Sequence, residues 1–165
     1  MTETTVREKT VTWEDPMETA LAGRGQGGLD FLRSMIAGEV AGPPIASVLG
    51  MALVEVEHGR AVFTLTPDES MFNPIGAVHG GVVCTLLDSA LGCALHTTLP
   101  AGKGYTSVEI KVSYLKAVRP ASGLLTATGR VVRVGSRLGF TEGEVTDASG
   151  AIVATASSTL LLFDV

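Results

Sequence analysis

The sequence predicts an α+β fold in which an antiparallel sheet of about six strands wraps around one central long helix. Two observations lead to this prediction. Residues 51–66 and 104–163 contain apolar or alternating runs at the period of β-strands, separated by short turn sequences. Residues 80–96, which lie between them, are apolar almost all round and therefore favour a helix that is buried on nearly every side.

The N-terminal part of the chain differs in composition from the rest. Residues 1–28 lack apolar periodicity and end in a glycine-rich stretch, so we expect a flexible arm ahead of a folded domain at 29–165. Apolar side chains then recur at helical spacing, at Leu29, Leu32, Ile36 and Val40. This spacing predicts a short helix over residues 29–40, which Gly42-Pro43-Pro44 ends.

The strands are predicted from alternation and from turn residues. Residues 51–57 and 60–66 are joined by His58-Gly59, a link suited to a tight hairpin because glycine tolerates positive φ. Further strands are predicted at 104–117, 123–134, 138–147 and 151–163. In the first of these, one buried face is expected to consist of Val108, Ile110, Val112 and Tyr114. Because the later connections are short, we expect an antiparallel meander.

Length, charge and cysteine content limit the class of protein. A chain of 165 residues suits one domain with a substantial core, and a net charge of −5 with scattered basic residues does not favour nucleic acid or an anionic membrane as partner. The first twenty residues fit neither a secretory signal nor a transit peptide, and no run reaches the length of a membrane span.

Cys84 and Cys93 neither pair nor cluster with histidines as metal ligands, so we expect buried, reduced cysteines in a cytoplasmic protein. His58 and His96 are assigned structural or solvent roles.

The central helix carries one polar stripe. Small and polar residues recur at steps of three or four, at Gly81, Thr85, Asp88, Gly92 and His96. A carboxylate in the middle of an apolar helix is costly unless it is hydrogen-bonded, faces water or serves a function. Asp88 is therefore either a catalytic group or a hydrogen-bond partner at a subunit interface, and this residue alone does not decide between the two.

The loop ahead of this helix, residues 73–81, ends in His79-Gly80-Gly81. A helix start offers unpaired N–H groups and the positive end of the dipole, and glycines let a ligand oxygen approach closely, although an ordinary turn also explains two glycines. Gly80 and Asp88 are eight residues apart. That is roughly 12 Å along a helix, too far for both to act on one carbonyl carbon in a single chain. If they cooperate, they come from different subunits of a two-fold dimer.

Three segments in this order resemble the PaaI-like acyl-CoA thioesterases of the hot-dog superfamily: N-P-I-G-A-V-H-G-G at 73–81, L-L-D-S-A-L-G at 86–92 and T-S-V-E-I-K-V-S-Y-L at 106–115. The resemblance covers about residues 45–163. It implies a hot-dog fold and hydrolysis of an acyl-CoA, aryl or medium-chain, to the free acid and coenzyme A. It also implies homodimers that assemble into homotetramers. The mechanism needs no metal or redox cofactor, because an oxyanion donor together with a base or a nucleophilic carboxylate suffices.

The resemblance implies catalytic roles for five residues. The Gly80 amide would polarise the thioester carbonyl, while Asp88 of the neighbouring subunit would act as general base or nucleophile. Asn73 would position the water or the substrate, and His79 would support the carbonyl contact or orient the loop. Ser107 would assist the carboxylate.

Substrate contacts are expected at a wider set of positions: Gly81, Thr106, Glu109, Tyr114 and Arg133. Thr106 is also an alternative to Ser107 beside the carboxylate, because the loop after Asp88 looks about one residue longer than in some relatives of the resembled family. An exposed strand arginine such as Arg133 is more often simply solvated.

Three alternative functions stay open at this point. A hot-dog dehydratase or hydratase acting on acyl thioesters also pairs a histidine with an acid. A non-catalytic acyl-CoA binding or sensing module would use the same fold, because function depends on the site rather than the fold. A structural oligomer would keep Asp88 as a buried interface partner.

Overall fold

The computed structural model describes residues 5–165, in which a six-stranded antiparallel sheet wraps around one long helix. The helices are α1 (Pro16–Arg24), α2 (Gly28–Ile36), α3 (Pro44–Leu49) and the central α4 (Gly80–His96). The strands are β1 (Met51–Glu57), β2 (Arg60–Leu65), β3 (Lys103–Tyr114), β4 (Leu125–Val134), β5 (Leu138–Thr146) and β6 (Ile152–Asp164). The predicted α+β hot-dog architecture is therefore confirmed.

The strands lie in the order β1-β2-β4-β5-β6-β3, and each pair of neighbours is antiparallel. Strands β4, β5 and β6 form the expected meander. The meander prediction was wrong for β3, which pairs with β6 at the far edge instead of lying beside β4. The reason is that α4 joins β2 to β3 across the face of the sheet, after which the chain returns so that β4 pairs with β2.

The core lies between α4 and the concave face of the sheet. Leu86, Leu87 and Leu91 of α4 are completely buried, as are Leu125 and Val145 on the strands that face them. Full burial of such a side chain contributes about 1.5–3 kcal/mol. This packing fixes the position of α4, and with it the position of every side chain on the helix.

Strand β3 runs alongside α4 and contains a β-bulge between Ser107 and Glu109. A bulge adds one residue and reverses the alternation beyond it. Ser107 faces α4 before the bulge, whereas Ile110 packs against the core after it. Val108 is 56% exposed and Tyr114 is 54% exposed, so the prediction that these two residues lie on the buried face was wrong.

The N-terminal helices lie on one side of this core. Residues 16–24, part of the predicted flexible arm 1–28, form α1, while residues 1–4 of that arm lie outside the described residues. Helix α2 ends at Ile36 rather than at residue 40. Pro44 begins α3 instead of only ending a helix, because proline is favoured at the first helical position. The mobility of the arm stays a prediction.

Gly28 fixes α2 to the end of α4. Its N–H donates a hydrogen bond to the Leu99 carbonyl at 2.9 Å. A Cβ at this position would lie only 1.9 Å from the carbonyl oxygen of His96, so a side chain cannot be added without moving the helix. The Phe31 ring packs edge-on against the imidazole of His96, with centroids 5.7 Å apart.

The turn between β5 and β6 is organised by Asp147. Its carboxylate accepts hydrogen bonds from the Lys116 ammonium at 2.7 Å and from the N–H groups of Ser149 and Ala151. The hydrogen bond from Lys116 is the main reason that the pKa of Asp147 lies well below its ordinary value.

Among residues 5–165, no helix combines the length and apolar character that crossing a membrane would need.

Candidate active site

Asp88 lies in the middle of α4 on the side that faces β3. Ser107 Oγ donates a hydrogen bond to Asp88 Oδ1 at 2.8 Å. Both residues line a cavity of about 740 Å³. Oδ2 of Asp88 has no hydrogen-bond partner within residues 5–165, so this oxygen is free to bind a water or a substrate group. The expected pairing of Asp88 with a serine on β3 is therefore present within one chain.

The start of α4 presents a free amide. His79 caps the helix, and its Nδ1 accepts a hydrogen bond from the Gly81 N–H at 2.9 Å. This bond occupies the Gly81 amide, one of the expected substrate contacts. The Gly80 N–H has no acceptor in the described part of the chain. It is thus the amide at the positive end of the helix dipole that can receive a ligand oxygen.

Tyr114 fixes the peptide that carries this amide. Its hydroxyl donates a hydrogen bond to the Gly80 carbonyl at 2.8 Å. The tyrosine is itself 54% exposed and lies outside the Asp88 cavity. In the structure it therefore orients the helix start, and its expected contact with substrate stays a prediction.

Asn73 shapes the loop ahead of α4. Its side-chain oxygen accepts hydrogen bonds from the N–H groups of Ile75 and Ala77, both at 3.1 Å. The loop is also anchored by the His79 N–H, which donates to the Met71 carbonyl at 2.8 Å. Asn73 thus holds the turn that delivers His79 to its capping position, and its role toward substrate or water stays a prediction.

The remaining candidates are spread over the sheet. Thr106 is exposed and makes no hydrogen bond to Asp88 among the described residues, in contrast to its neighbour Ser107. Glu109 accepts a hydrogen bond from Thr159 at 3.4 Å. Arg133 is exposed on β4, which lies three strands away from β3 in the sheet. At the usual spacing between strands, the distance between β4 and β3 is about 14 Å. A single protomer does not bring Thr106, Glu109 and Arg133 together.

The cavity also contains polar groups that the sequence reasoning did not assign to a site. The imidazole of His96 lies 5.4 Å from the ring of Tyr105, and both residues line the cavity with Cys93. Burial lowers the pKa of His96, raises that of Tyr105 well above its ordinary value and raises that of Cys93 to about 12. These groups are therefore uncharged at neutral pH. Of the cavity-lining residues within 5–165, Asp88 is the only one with an acidic side chain, whereas Arg24 and Lys103 are basic.

The polar stripe on α4 was the signal that could have identified His96, because it places His96 on the same face as Asp88. The cysteines differ from expectation, since Cys84 and Cys93 are only partly buried as whole residues. Among residues 5–165, no cluster of three or more His, Cys, Asp or Glu side chains is arranged to hold a metal ion.

Comparison with known proteins gives a consistent set of relatives. The model of the thioesterase superfamily matches residues 75–154. A Halobacterium salinarum protein, provisionally named an esterase, is 34% identical over 118 residues, which cover 68% of this chain and 76% of that protein. Human acyl-coenzyme A thioesterase 13 is 29% identical over 125 residues, which cover 74% of this chain and 88% of the human protein.

Solved structures agree with this result. A phenylacetic acid degradation-related protein from Ralstonia eutropha, provisionally named a thioesterase, superposes with a TM-score of 0.72 at 27% identity, over 79% of this chain and 98% of that protein. A Streptococcus mutans protein bound to acetyl CoA superposes with a TM-score of 0.63 at 26% identity, over 69% of this chain and 89% of the other.

Proposed function

Because the chain belongs to the thioesterase superfamily, we propose that it hydrolyses acyl-CoA thioesters to a free acid and coenzyme A. A coenzyme A thioester is supported by the similarity to human acyl-coenzyme A thioesterase 13 and to a solved structure that holds acetyl CoA. The observation that carries the proposal is Asp88, hydrogen-bonded to Ser107 on the wall of a cavity.

The reaction needs a base or a nucleophile beside the thioester carbonyl. As a base, Asp88 takes a proton from a water molecule while the water oxygen bonds to the carbonyl carbon, and the C–S bond then breaks as the proton passes to the coenzyme A sulfur. As a nucleophile, Asp88 displaces the thiolate and forms a mixed anhydride, which water cleaves to the acid. The free Oδ2 serves either path, while Ser107 holds Oδ1 in place.

The carbonyl oxygen needs a donor where negative charge develops. The Gly80 N–H is free and lies at the positive end of the α4 dipole, but it is about 12 Å from Asp88 of the same helix. We therefore assign this role to the partner subunit's Gly80 in a two-fold dimer, which gives two equivalent sites. Within residues 5–165, β3 is an edge strand that pairs only with β6, and this supports a dimer formed along α4 and β3.

The acyl group is proposed to be aryl or medium-chain, and dimers are proposed to assemble into tetramers in the cytoplasm. The cavity at Asp88 supports the first point, because its volume of about 740 Å³ lies in the range of small-molecule sites.

A thiol-release assay on a panel of acyl-CoA thioesters tests the function. We expect the wild-type chain to release coenzyme A and Asp88→Asn to lower kcat at least about 100-fold while circular dichroism stays unchanged. Glu142→Gln, which removes an exposed carboxylate of β5, is the control and should keep full activity.

Three results would contradict the proposal. Wild-type turnover by Asp88→Asn would refute the assigned chemistry. Saturable binding of every acyl-CoA without thiol release would indicate a binding module. Conversion of a hydroxyacyl thioester to its enoyl form, again without thiol release, would indicate a dehydratase.

A further inference from the structure

The cavity at Asp88 extends well beyond the carboxylate. It follows α4 and β3 from Asp88 and Ser107 to His96 and Tyr105. Asp88 and His96 are eight residues apart on the helix, so this length is about 12 Å. A small acyl group such as acetyl would occupy only the part nearest Asp88. The rest of the cavity is space for a longer or wider group.

Most of the cavity wall is apolar. Met51, Leu53 and Phe63 of β1 and β2 form the inner side, beneath the Asp88 end of α4. His96 and Tyr105 add polar atoms, but burial keeps both groups uncharged at neutral pH. Arg24 and Lys103 also line the cavity, and the Lys103 ammonium is paired with Asp164 at 2.6 Å. The apolar remainder of the wall suits an uncharged hydrocarbon chain or an aromatic ring, because burial of such a group against apolar side chains is favourable.

The outer wall belongs to the N-terminal helices. Helix α1 contributes Ala20 and Gly23, and α2 contributes Phe31 and Met35. These residues precede the segment 75–154 that matches the superfamily model. Asp88 and Ser107 thus lie within the matched segment, whereas the outer wall comes from a segment outside the match.

This outer wall is held in place by specific contacts. Gly28 bonds to Leu99 and approaches the His96 carbonyl so closely that no side chain fits between them. Phe31 packs against the ring of His96, and the Thr19 hydroxyl donates to the Ala41 carbonyl at 3.2 Å, which ties α1 to the chain ahead of α3. A wall fixed in this way can discriminate between acyl groups by size.

We propose that α1 and α2 form the outer wall of the acyl pocket and determine the length and width of the acyl groups that the enzyme accepts. This inference rests on the proposed hydrolysis of acyl-CoA thioesters. Each methylene buried in the pocket raises kcat/KM by about fourfold, so octanoyl-CoA is a much better substrate than acetyl-CoA. The preference comes from residues 16–35, whereas Asp88 supplies the chemistry for all substrates.

Substitution of Ala20 tests the proposal. Ala20 is exposed on α1 but lines the cavity, so Ala20→Phe places a ring on the wall that α1 contributes. We expect kcat/KM for octanoyl-CoA to fall by about tenfold or more, with less than about a twofold change for acetyl-CoA. The matched control is Leu21→Phe, since Leu21 is 59% exposed on α1 and does not line the cavity. It should leave both substrates unchanged.

Binding of free octanoate, measured by calorimetry, separates this inference from the proposed function. If the wild-type chain and Leu21→Phe bind octanoate and Ala20→Phe does not, the pocket is supported even in a protein without turnover. If Ala20→Phe lowers the two substrates equally, or leaves both the substrate profile and octanoate binding unchanged, the pocket assignment is overturned while thioesterase activity stands. Ala20→Leu gives a smaller obstruction with the same expected direction, so a folding defect of the phenylalanine variant does not decide the result.

Discussion

Replacing Gly80 by proline removes the backbone N–H that the proposed mechanism requires and leaves the helix able to form. Gly80 is the first residue of α4, where proline is favoured and where the N–H is not needed within the helix. The preceding residue must be extended, and His79 already has φ −61° and ψ 133°. The fold should therefore tolerate the change, so that activity reports on the lost donor.

The size of the effect follows from the role of that donor. Removal of one oxyanion donor costs about 2.7–4 kcal/mol, or a factor of about 10²–10³ in kcat. A side chain at position 80 has a separate effect, because its Cβ would lie 3.1 Å from Cζ of Tyr114. Gly80→Ala introduces the same Cβ and keeps the N–H, so we expect it to lose less than about tenfold. The difference between the two variants isolates the contribution of the amide.

The assay is steady-state thiol release with the best substrate of the acyl-CoA panel, accompanied by thermal melts of both variants. A Gly80→Pro protein that melts close to the wild-type temperature and keeps at least a tenth of wild-type kcat would refute the reasoning. So would equal losses in Gly80→Ala and Gly80→Pro, since the loss would then come from crowding of Tyr114.

Three further predictions follow from the structure. Ser107→Ala should lower kcat/KM about tenfold, because a hydrogen bond to a charged group is lost. Thr106→Ala should change kcat/KM less than about twofold. A larger loss in Thr106→Ala than in Ser107→Ala would mean that the wrong hydroxyl was assigned. Gly28→Ala should lower the free energy of unfolding in urea by about 1–3 kcal/mol, because its Cβ clashes with the end of α4. Gly25→Ala is the control, since its Cβ has no described atom within 4 Å, and it should leave the free energy of unfolding unchanged or slightly raised. Equal values for the two variants would contradict the docking of α2. Asp147→Asn should destabilise the protein at pH 7 and by only somewhat less at pH 3. The contribution of a carboxylate with a lowered pKa is fully present above about pH 4 and is lost only as the pH falls through the much lower pKa of the folded state. A difference in stability that has already vanished at pH 3 would contradict the assignment.

Much of the fold could be predicted from the sequence because local patterns determine it. The alternation in the strands and the apolar character of residues 80–96 gave the six strands and α4 within a few residues of their observed bounds. The place of β3 at the edge beside β6 depends on how α4 crosses the sheet, which no local pattern records. The exposure of Val108 depends on a bulge that only the pairing with β6 creates.

The candidate site, like the fold, could be predicted only in part from the sequence. Asp88 and the helix start were recognisable because a carboxylate and two glycines are unusual in their surroundings. The use of the Gly81 amide by His79, which leaves Gly80 as the free donor, is a matter of side-chain geometry. The cavity wall formed by Ala20 and Gly23 requires the docking of a helix far from Asp88 in sequence, so the composition of residues 1–28 did not predict it.

Complementation between two inactive variants tests the shared site most directly. Coexpression of an Asp88→Asn chain with a Gly80→Pro chain in equal amounts gives mixed dimers in half of the assemblies. One of the two sites in a mixed dimer then combines an intact carboxylate with an intact amide, so the mixture should recover about a quarter of wild-type activity. If the mixture is no more active than the average of the two parent variants, Gly80 and Asp88 do not meet across a subunit interface.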